Sequence, residues 1–193
     1  MSIEERNDQI RSLLSILEGR IPGEAAHAAR VAVMSVAMGH QLGLRGEKLL
    51  QLRYSSELHD VGKTSLNPDT LMKVAPLTPQ EHAAIRTHSG LAEALVGAID
   101  WLRPCVPAIT HHHERWDGRG YPAGLAGEDI PFESRIIAVA EAFDAMTKLA
   151  FRGEPFTEEQ ALEELQRESG AQFDPAMVDA FLAVKPLIQP IAR

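Results

Sequence analysis

The sequence predicts an all-α protein, and three observations point to that class. Apolar residues recur with helical spacing along most of the chain, no stretch alternates convincingly with a period of two, and only one long segment is rich in glycine and proline. The chain has 193 residues, of which 45% are hydrophobic and 24% charged, as in an ordinary globular protein with a core of its own. We therefore predict a helical bundle with one extended Gly-rich loop.

Helix signals in the first half of the chain support this prediction. Pro22 can start a helix and Gly43 can end it, while Gly62 is a suitable C-cap for the helix after that. Thr78 begins a capping box, Thr-Pro-Gln-Glu, with proline at the first helical position. The predicted helices in this half cover approximately residues 10–17, 22–43, 47–61, 79–99 and 104–116, the last one starting at either Pro104 or Pro107.

The second half begins with the irregular segment and then returns to helical spacing. Residues 117–131 contain four glycines and two prolines, and a loop of this length in a compact helical domain is more often functional than idle. Thr157 followed by two glutamates is typical of a helix start, because acidic side chains favour the first turn. The predicted helices in this half cover approximately residues 132–149, 157–169 and 174–184.

Composition excludes several classes of function. The chain has 19 Lys and Arg against 27 Asp and Glu, a formal net charge of −8, which argues against a protein that coats nucleic acid. Its only cysteine, Cys105, excludes an internal disulfide framework and a Cys-rich zinc site, and it suits a cytoplasmic location. The N-terminus shows no secretory signal, and no run of 18 apolar residues predicts a membrane span.

Histidines and acids form two clusters in the sequence. His59 and Asp60 lie between apolar residues at a predicted helix end, where a buried charged pair would be costly without a metal or another partner. Three histidines and a glutamate, residues 111–114, lie where a helix is expected to meet the Gly-rich loop. Adjacent imidazoles can diverge from a helix end towards one metal, and Glu114 could orient one of them. A chance run of surface histidines remains the alternative at this point.

Two further histidines lie outside these clusters. His27 is on the apolar stripe of the second predicted helix, where a core histidine is the ordinary interpretation, and His88 by itself would be a surface residue. Together with the clusters, however, they complete a pattern that resembles the HD-GYP family of bacterial metal-dependent phosphodiesterases, part of the HD phosphohydrolase superfamily. The matching segments are His27 with Arg30-Val31, the stretch Leu58-His59-Asp60-Val61-Gly62-Lys63, His88, and residues 112–122, which read HHERWDGRGYP.

The resemblance implies an HD-domain helical bundle that holds two divalent metal ions, iron or manganese. It assigns one metal to four side chains: His27, His59, Asp60 and Glu141. It assigns the other metal to Asp60 as well, together with three histidines: His88, His112 and His113. A carboxylate can bridge two cations because each of its oxygens can bind one of them, and mixed imidazole and carboxylate ligands suit these metals better than a closed zinc site.

The resemblance also implies the reaction, which is hydrolysis of cyclic di-GMP to linear pGpG or to GMP, or in some members of cyclic GMP–AMP. A hydroxide shared by the metals would attack the phosphodiester, with Asp60 and Lys63 as the catalytic residues. The expected substrate-binding residues are Lys63, Gly118, Gly120, Tyr121 and Arg152. Partners would be the cyclic dinucleotide and a diguanylate cyclase domain or an upstream sensor protein, with no DNA, RNA or membrane.

Three departures from the family pattern leave alternatives open. Glu141 stands where the family has aspartate, so it either ligates with a longer side chain or leaves the first metal weakly bound. Residues 148–154 keep only Lys148 and Arg152 where the family has an Arg-Pro-Tyr-Arg-like phosphate clamp. Gly23 replaces a glutamate that binds a third metal in some members, with Glu24 one place away, so we expect a binuclear site.

These departures from the family pattern leave two other functions to consider. The chain could be a catalytically weak or inactive module that binds metal, nucleotide or partner proteins, or it could hydrolyse another phosphoester. We expect a short N-terminal helix at residues 1–21 and an HD-GYP domain at 22–193, either free-standing or excised from a longer protein. His40, His82 and His111 are assigned no function.

Overall fold

The computed structural model describes residues 1–73, 75–148 and 154–188. Ten α-helices lie in these residues: α1 Ile3–Arg20, α2 Glu24–Gln41, α3 Gly46–Leu58, α4 Pro68–Leu71, α5 Pro79–Arg86, α6 His88–Gly97, α7 Val106–Thr110, α8 Phe132–Lys148, α9 Glu158–Arg167 and α10 Pro175–Ile188. Three short 3-10 helices also lie in them: Val61–Ser65, Asp100–Cys105 and Gly127–Asp129. No β-strand forms in these ranges, so the predicted all-α class is confirmed.

Capping boxes start several helices as the sequence indicates. The Thr78 hydroxyl accepts from the amide of Glu81, while the Glu81 carboxylate accepts from the amide of Thr78. Thr157 and Gln160 make the same reciprocal pair at the start of α9. These bonds satisfy amides that have no partner inside a helix. None of the described helices is long and apolar enough to cross a membrane.

Several predicted helix ends were wrong, and each difference has a physical reason in the structure. The helix expected at residues 47–61 ends at Leu58, and Gly62 lies inside the 3-10 helix rather than acting as a C-cap. A Cβ atom on Gly62 would lie 2.0 Å from the carbonyl oxygen of His88, so glycine is needed here because α6 packs directly against this turn.

The helix expected at residues 79–99 is two helices, α5 and α6, which meet at Thr87. The Thr87 hydroxyl donates to the carbonyl of Ala84 at 2.7 Å, a bond that competes with continuation of the helix. The helix expected to end near residue 116 ends instead at Thr110. There the chain turns, and the amide of Trp116 bonds to the carbonyl of Gln172 at 3.0 Å. The expected irregular loop at 117–131 is present, with one short 3-10 helix inside it.

Two apolar cores hold the helices together. The first lies among α2, α8, α9 and α10, and in it the ring centroids of Phe143 and Phe181 are 4.9 Å apart. The second lies among α1, α3, α6 and α7 and contains buried Ile10, Tyr54 and Ile109. The proposed boundary at residue 21 falls between α1 and α2, and α1 packs on the second core. Elements of both cores carry the histidines of the candidate metal centre.

Candidate metal centre

Six of the predicted ligands converge in the structure as two groups that share Asp60. In one group His27 of α2 meets His59 and Asp60, which follow the end of α3. In the other, Asp60 meets His88 at the start of α6 and the pair His112–His113 that follows α7. Within each group, one ligand atom per residue lies within 4.8 Å of all the others. One carboxylate is thus placed to serve two cation positions.

Backbone carbonyls orient three of these imidazoles. The Nδ1 atom of His59 lies 2.8 Å from the carbonyl oxygen of Ser56, three residues earlier. His88 makes the equivalent bond to Ile85 at 2.7 Å, and His112 makes it to Ile109 at 2.5 Å. Because Nδ1–H donates to a carbonyl in each case, Nε2 is the ring atom that can bind another ligand once it carries no proton.

Side chains orient the fourth imidazole. The Nδ1 atom of His27 lies 2.7 Å from Oδ2 of Asp144, a buried residue of α8. Arg30 grips the same carboxylate with Nε at 2.6 Å and with an Nη atom at 2.9 Å. Burial would raise the pKa of Asp144, but hydrogen bonds from His27 and Arg30 outweigh it and lower the pKa. Asp144 therefore stays ionised and fixes the ring of His27.

Unpaired buried atoms fit a bound cation. His59 Nε2 and Asp60 Oδ1 are buried and have no hydrogen-bond partner among the described residues, although His59 Nε2 lies 3.3 Å from Oδ2 of Asp60 and Asp60 Oδ1 lies 3.3 Å from Nε2 of His88. His88 Nε2 and His112 Nε2 face each other at 3.4 Å, although both rings already donate through Nδ1. Two lone pairs at that distance repel each other unless a cation lies near both, and buried polar groups normally have partners. The donor set of imidazoles and a carboxylate suits a divalent transition metal.

The protonation of these groups follows their surroundings. Burial and neighbouring histidines lower the pKa of His112 well below its usual range, and burial also lowers that of His113, so both rings offer neutral lone pairs. Burial would lower the pKa of His59, but Asp60 outweighs it and raises the pKa to about 9. A metal at the His59 position must therefore displace a proton.

Glu141 does not join either group of ligand atoms. Its Oε2 atom lies 4.0 Å from Nδ1 of His113, and its side chain faces the cavity beside the two adjacent histidines. The sequence-based assignment of Glu141 to the metal that His27 would bind thus stays a prediction. On the His27 side of the centre, Asp60 is one carboxylate in contact with a ligand ring, and Asp144, which contacts His27, is the other.

Lys63 closes the centre on one side. Its Nζ atom lies 2.6 Å from Oδ2 of Asp60 and 3.1 Å from Oε1 of Glu24. Burial would lower the pKa of Lys63, but the two carboxylates outweigh it and raise the pKa above its usual range, so the ammonium persists. Burial would also raise the pKa of Asp60, but Lys63 and His59 hold it well below its usual range. Asp60 therefore offers an ionised carboxylate.

The Gly-rich loop is held by Glu114. Its carboxylate accepts hydrogen bonds from three consecutive loop amides, those of residues 123, 124 and 125, at 2.7 to 3.1 Å. The contact expected between Glu114 and a ligand imidazole is absent from the described interactions, and the ring it meets is that of His111 at 3.4 Å. A glutamate that follows three histidines carries no sequence signal that it will accept hydrogen bonds from a loop about ten residues later.

Glycines and Tyr121 shape the loop beside the metal centre. Gly118 has a φ of 76°, and a Cβ atom on Gly120 would lie 2.4 Å from the amide nitrogen of Arg115, so both positions require glycine for the protein's own packing. The ring of Tyr121 stacks on that of His113 with centroids 4.8 Å apart and planes inclined at 29°. Burial and the charge of Glu141 raise the pKa of the Tyr121 hydroxyl, which therefore stays protonated.

A cavity of about 260 Å³ opens beside the centre. Its lining joins metal ligands to the Gly-rich loop: Arg86, His112, His113, Glu114, Arg115, Arg119, Gly120, Tyr121, Ala138, Glu141, Ala142 and Gln172. Of the predicted substrate-binding residues, Gly120 and Tyr121 therefore line it, whereas Gly118 and Lys63 do not. The prediction for Arg152 falls on residues 149–153, outside the described residues. Arg86 and Asp144 were not singled out from the sequence.

Comparison with known families agrees with this arrangement. The family model described as "HD domain" matches residues 11–177, which include all six converging ligands. The chain belongs to the HD-domain family. Among curated relatives of this HD domain, the cyclic di-GMP phosphodiesterase response regulator RpfG of Xanthomonas campestris is 35% identical over 98% of the chain and 51% of its own length. The 3'3'-cGAMP-specific phosphodiesterase 2 of Vibrio cholerae is 33% identical over 93% of the chain and 35% of its own length.

Solved structures share the fold of this HD domain. A cyclic GMP–AMP-specific phosphodiesterase of V. cholerae matches with a TM-score of 0.70 at 23% identity, over 95% of this chain and 48% of that one. The HD domain of the phosphodiesterase PgpH of L. monocytogenes, in complex with cyclic-di-AMP, matches with a TM-score of 0.67 at 19% identity. The match covers 94% of this chain and 98% of that one. The resemblance to HD-GYP phosphodiesterases is confirmed, and the chain spans about half or less of those two curated relatives.

Proposed function

We propose that this HD domain is a metal-dependent phosphodiesterase that hydrolyses a cyclic dinucleotide, most readily cyclic di-GMP. The observation that carries the proposal is the sharing of Asp60 by two histidine groups beside an open cavity. The names of the curated relatives, which include cyclic di-GMP and 3'3'-cGAMP phosphodiesterases, support the substrate class. A cytoplasmic location, close to a sensor protein or a diguanylate cyclase domain, belongs to the same proposal.

Two divalent cations, iron or manganese, would be held by six side chains: His27, His59, Asp60, His88, His112 and His113. Bound there, they would supply Lewis-acid polarisation of a phosphodiester oxygen and a lowered pKa for the attacking water. Water would add across one phosphodiester P–O bond, leaving a 5'-phosphate on one nucleotide and a 3'-hydroxyl on the other, which gives pGpG. A second hydrolysis would give GMP.

The chain's own residues would orient the substrate around this centre. Lys63 already donates to Asp60 and Glu24, so one of its three N–H bonds remains for a phosphate oxygen. The protonated Tyr121 hydroxyl can donate to the substrate from the wall of the cavity. Gly118 and Gly120 shape the loop that carries Tyr121, and Arg152 stays a predicted substrate-binding residue.

The test is hydrolysis by anaerobically purified protein reconstituted with Fe²⁺ or Mn²⁺. Chromatography should show cyclic di-GMP or 3'3'-cGAMP converted to linear or mononucleotide products. Asp60→Ala should abolish turnover because both cation positions lose a ligand, while Asp179→Ala, an exposed aspartate of α10, should match the wild type. A wild-type protein with full metal occupancy that consumes neither nucleotide would contradict the proposal.

A second candidate is a module that binds metal or nucleotide without turnover. The position of Glu141, outside both groups of ligand atoms, favours it, because the metal bound by His27 would then have fewer protein ligands. Calorimetry would distinguish the two. Nucleotide binding with no product over hours would indicate the binding module, whereas product formation excludes it.

A further inference from the structure

The rim of the cavity carries three arginines whose surroundings differ. Arg115 is neutralised, because an Nη atom lies 2.9 Å from Asp117 and 3.8 Å from Glu168, and another donates to Gln172 at 2.8 Å. Arg119 is exposed, its backbone amide donates to Asp117 at 3.0 Å, and no ion pair of its guanidinium is found among the residues that the structure describes. Arg86 is exposed, and no ion pair is found for it within the described ranges.

Arg86 is held in place by an aromatic ring instead of a carboxylate. Its guanidinium carbon lies 5.0 Å from the centroid of the Tyr121 ring, within the range of a cation–π contact. Tyr121 in turn stacks on His113, a proposed metal ligand, with centroids 4.8 Å apart. The three groups form one stack, and all three line the cavity. The stack fixes the guanidinium while its N–H groups remain free to donate.

The cavity is too small to enclose a whole cyclic dinucleotide. At about 260 Å³ it is smaller than the roughly 300–1,000 Å³ of a pocket that encloses a whole drug-sized ligand. A cyclic dinucleotide has two phosphates in one ring, and only one of them can be at the metals during a given hydrolysis. The other carries a full negative charge in a protein whose formal net charge is −8, so it needs a local cation.

We propose that Arg86, held over Tyr121, binds the second phosphate of the cyclic dinucleotide, the one that is not at the metals. The planar guanidinium presents paired N–H donors that match two phosphate oxygens, which a lysine ammonium does not. This subsite rests on the proposed function, and it supplies a phosphate contact where residues 148–154 depart from the family's clamp. It makes Arg86 a determinant of the choice of cyclic dinucleotides over simple phosphodiesters.

The test compares two substrates in the metal-loaded protein. Cyclic di-GMP has the second phosphate, whereas bis(p-nitrophenyl) phosphate has a single phosphate that can reach the metals alone. Arg86→Ala should lower kcat/KM for cyclic di-GMP by about 10- to 100-fold more than for the simple diester, mainly through KM, as expected when a hydrogen bond to a charged group is lost. The ratio of kcat/KM for the two substrates in Arg86→Lys should lie between those of the wild type and Arg86→Ala, because lysine keeps the positive charge but lacks the paired N–H donors of the guanidinium.

Two further variants serve as references. Arg103→Ala removes an exposed arginine that pairs with Asp100 and does not line the cavity, and it should leave the ratio of kcat/KM for the two substrates as in the wild type. Arg152→Ala tests the residue that the family pattern favours. If it lowers the ratio and Arg86→Ala does not, or if Arg86→Ala affects both substrates equally, the subsite is wrong. Failure of the wild type to hydrolyse either substrate would instead contradict the proposed function.

Discussion

At the scale of single residues, the centre depends on how each imidazole is held. Backbone carbonyls orient the rings of His59, His88 and His112, whereas a carboxylate orients that of His27. The histidines and Asp60 could be proposed from the sequence because their residue types and order form a specific pattern. Asp144 could not, because an acidic residue on a helix carries no signal of its partner in a helix more than a hundred positions away.

Replacement of Asp144 tests its role as a positioning residue. Asp144→Asn leaves one acceptor oxygen in place of two, so the side chain cannot accept from His27 and from both Arg30 nitrogens at once. We expect one of two Mn²⁺ ions to bind about 10- to 100-fold more weakly, the usual effect of losing a carboxylate behind a metal-binding histidine. Titration of metal-free protein with Mn²⁺, followed by electron paramagnetic resonance, measures both ions.

The matched control for this variant is Asp174→Asn. Asp174 is also buried and pairs with an arginine, Arg135, at 2.7 Å, but no contact with a histidine of the centre is found for it in the described part of the chain. It should lose stability and keep both Mn²⁺ affinities. If Asp144→Asn also kept both affinities, Asp144 would have a structural role only.

At the scale of elements, helix positions were predicted well and several helix ends were not. Periodicity and capping boxes identify where helices form, because they depend on neighbours three or four residues apart. The ends at Leu58 and Thr110 and the break at Thr87 depend on contacts distant in sequence or on a single hydroxyl. These errors matter, because His59 and Asp60, His88, and the pair His112–His113 each lie at such an end or break, where chain turns direct them to one point.

Gly62 tests how closely two of these elements must approach. In Gly62→Ala the new Cβ would lie 2.0 Å from the carbonyl of His88 and 2.6 Å from the amide of Ala92, so α6 would have to move away from the turn that carries Asp60. We expect a loss of about 3 kcal/mol of unfolding free energy, the upper end of the usual cost of overpacking. Urea denaturation measures it.

Gly90→Ala is the control on the same helix. A Cβ atom on Gly90 meets nothing within 4 Å, and alanine favours a helix by up to about 1 kcal/mol over glycine. This variant should be neutral or slightly stabilising. Equal stability of the two variants would show that the approach of α6 to the 3-10 helix is looser than the structure has it.

At the scale of the whole molecule, the centre lies where two apolar cores meet. One ligand lies on α2, which packs on the first core, and the others lie on α6 or just after α3 and α7, which pack on the second. Net charge gave no information on this site, because a formal charge of −8 is a sum over the whole chain. The local balance of Asp60, Lys63 and the histidines depends on the fold.

Metal binding should therefore stabilise the folded molecule. Ions that bind the native state alone add about 2.7 kcal/mol per site at a hundredfold excess over Kd, which for a chain of this size raises the unfolding midpoint by at least about 5 °C. Thermal unfolding with Mn²⁺ or with a chelator measures the difference. Asp60→Asn should lose most of this shift, and His40→Ala, an exposed histidine outside both groups, should keep it. Equal shifts in the two variants would contradict a shared ligand.

The carbonyl bonds behind His59, His88 and His112 have a consequence for how this centre tolerates mutation. Every residue has a carbonyl, so substitutions at Ser56, Ile85 or Ile109 leave the acceptor in place provided that the local turn persists. Substitutions of the side chains around these three imidazoles therefore leave the rings in the same orientation. His27 lacks that protection, since one change at Asp144 removes its acceptor. Random substitution would thus be expected to disable the cation position at His27 first and leave the other one intact.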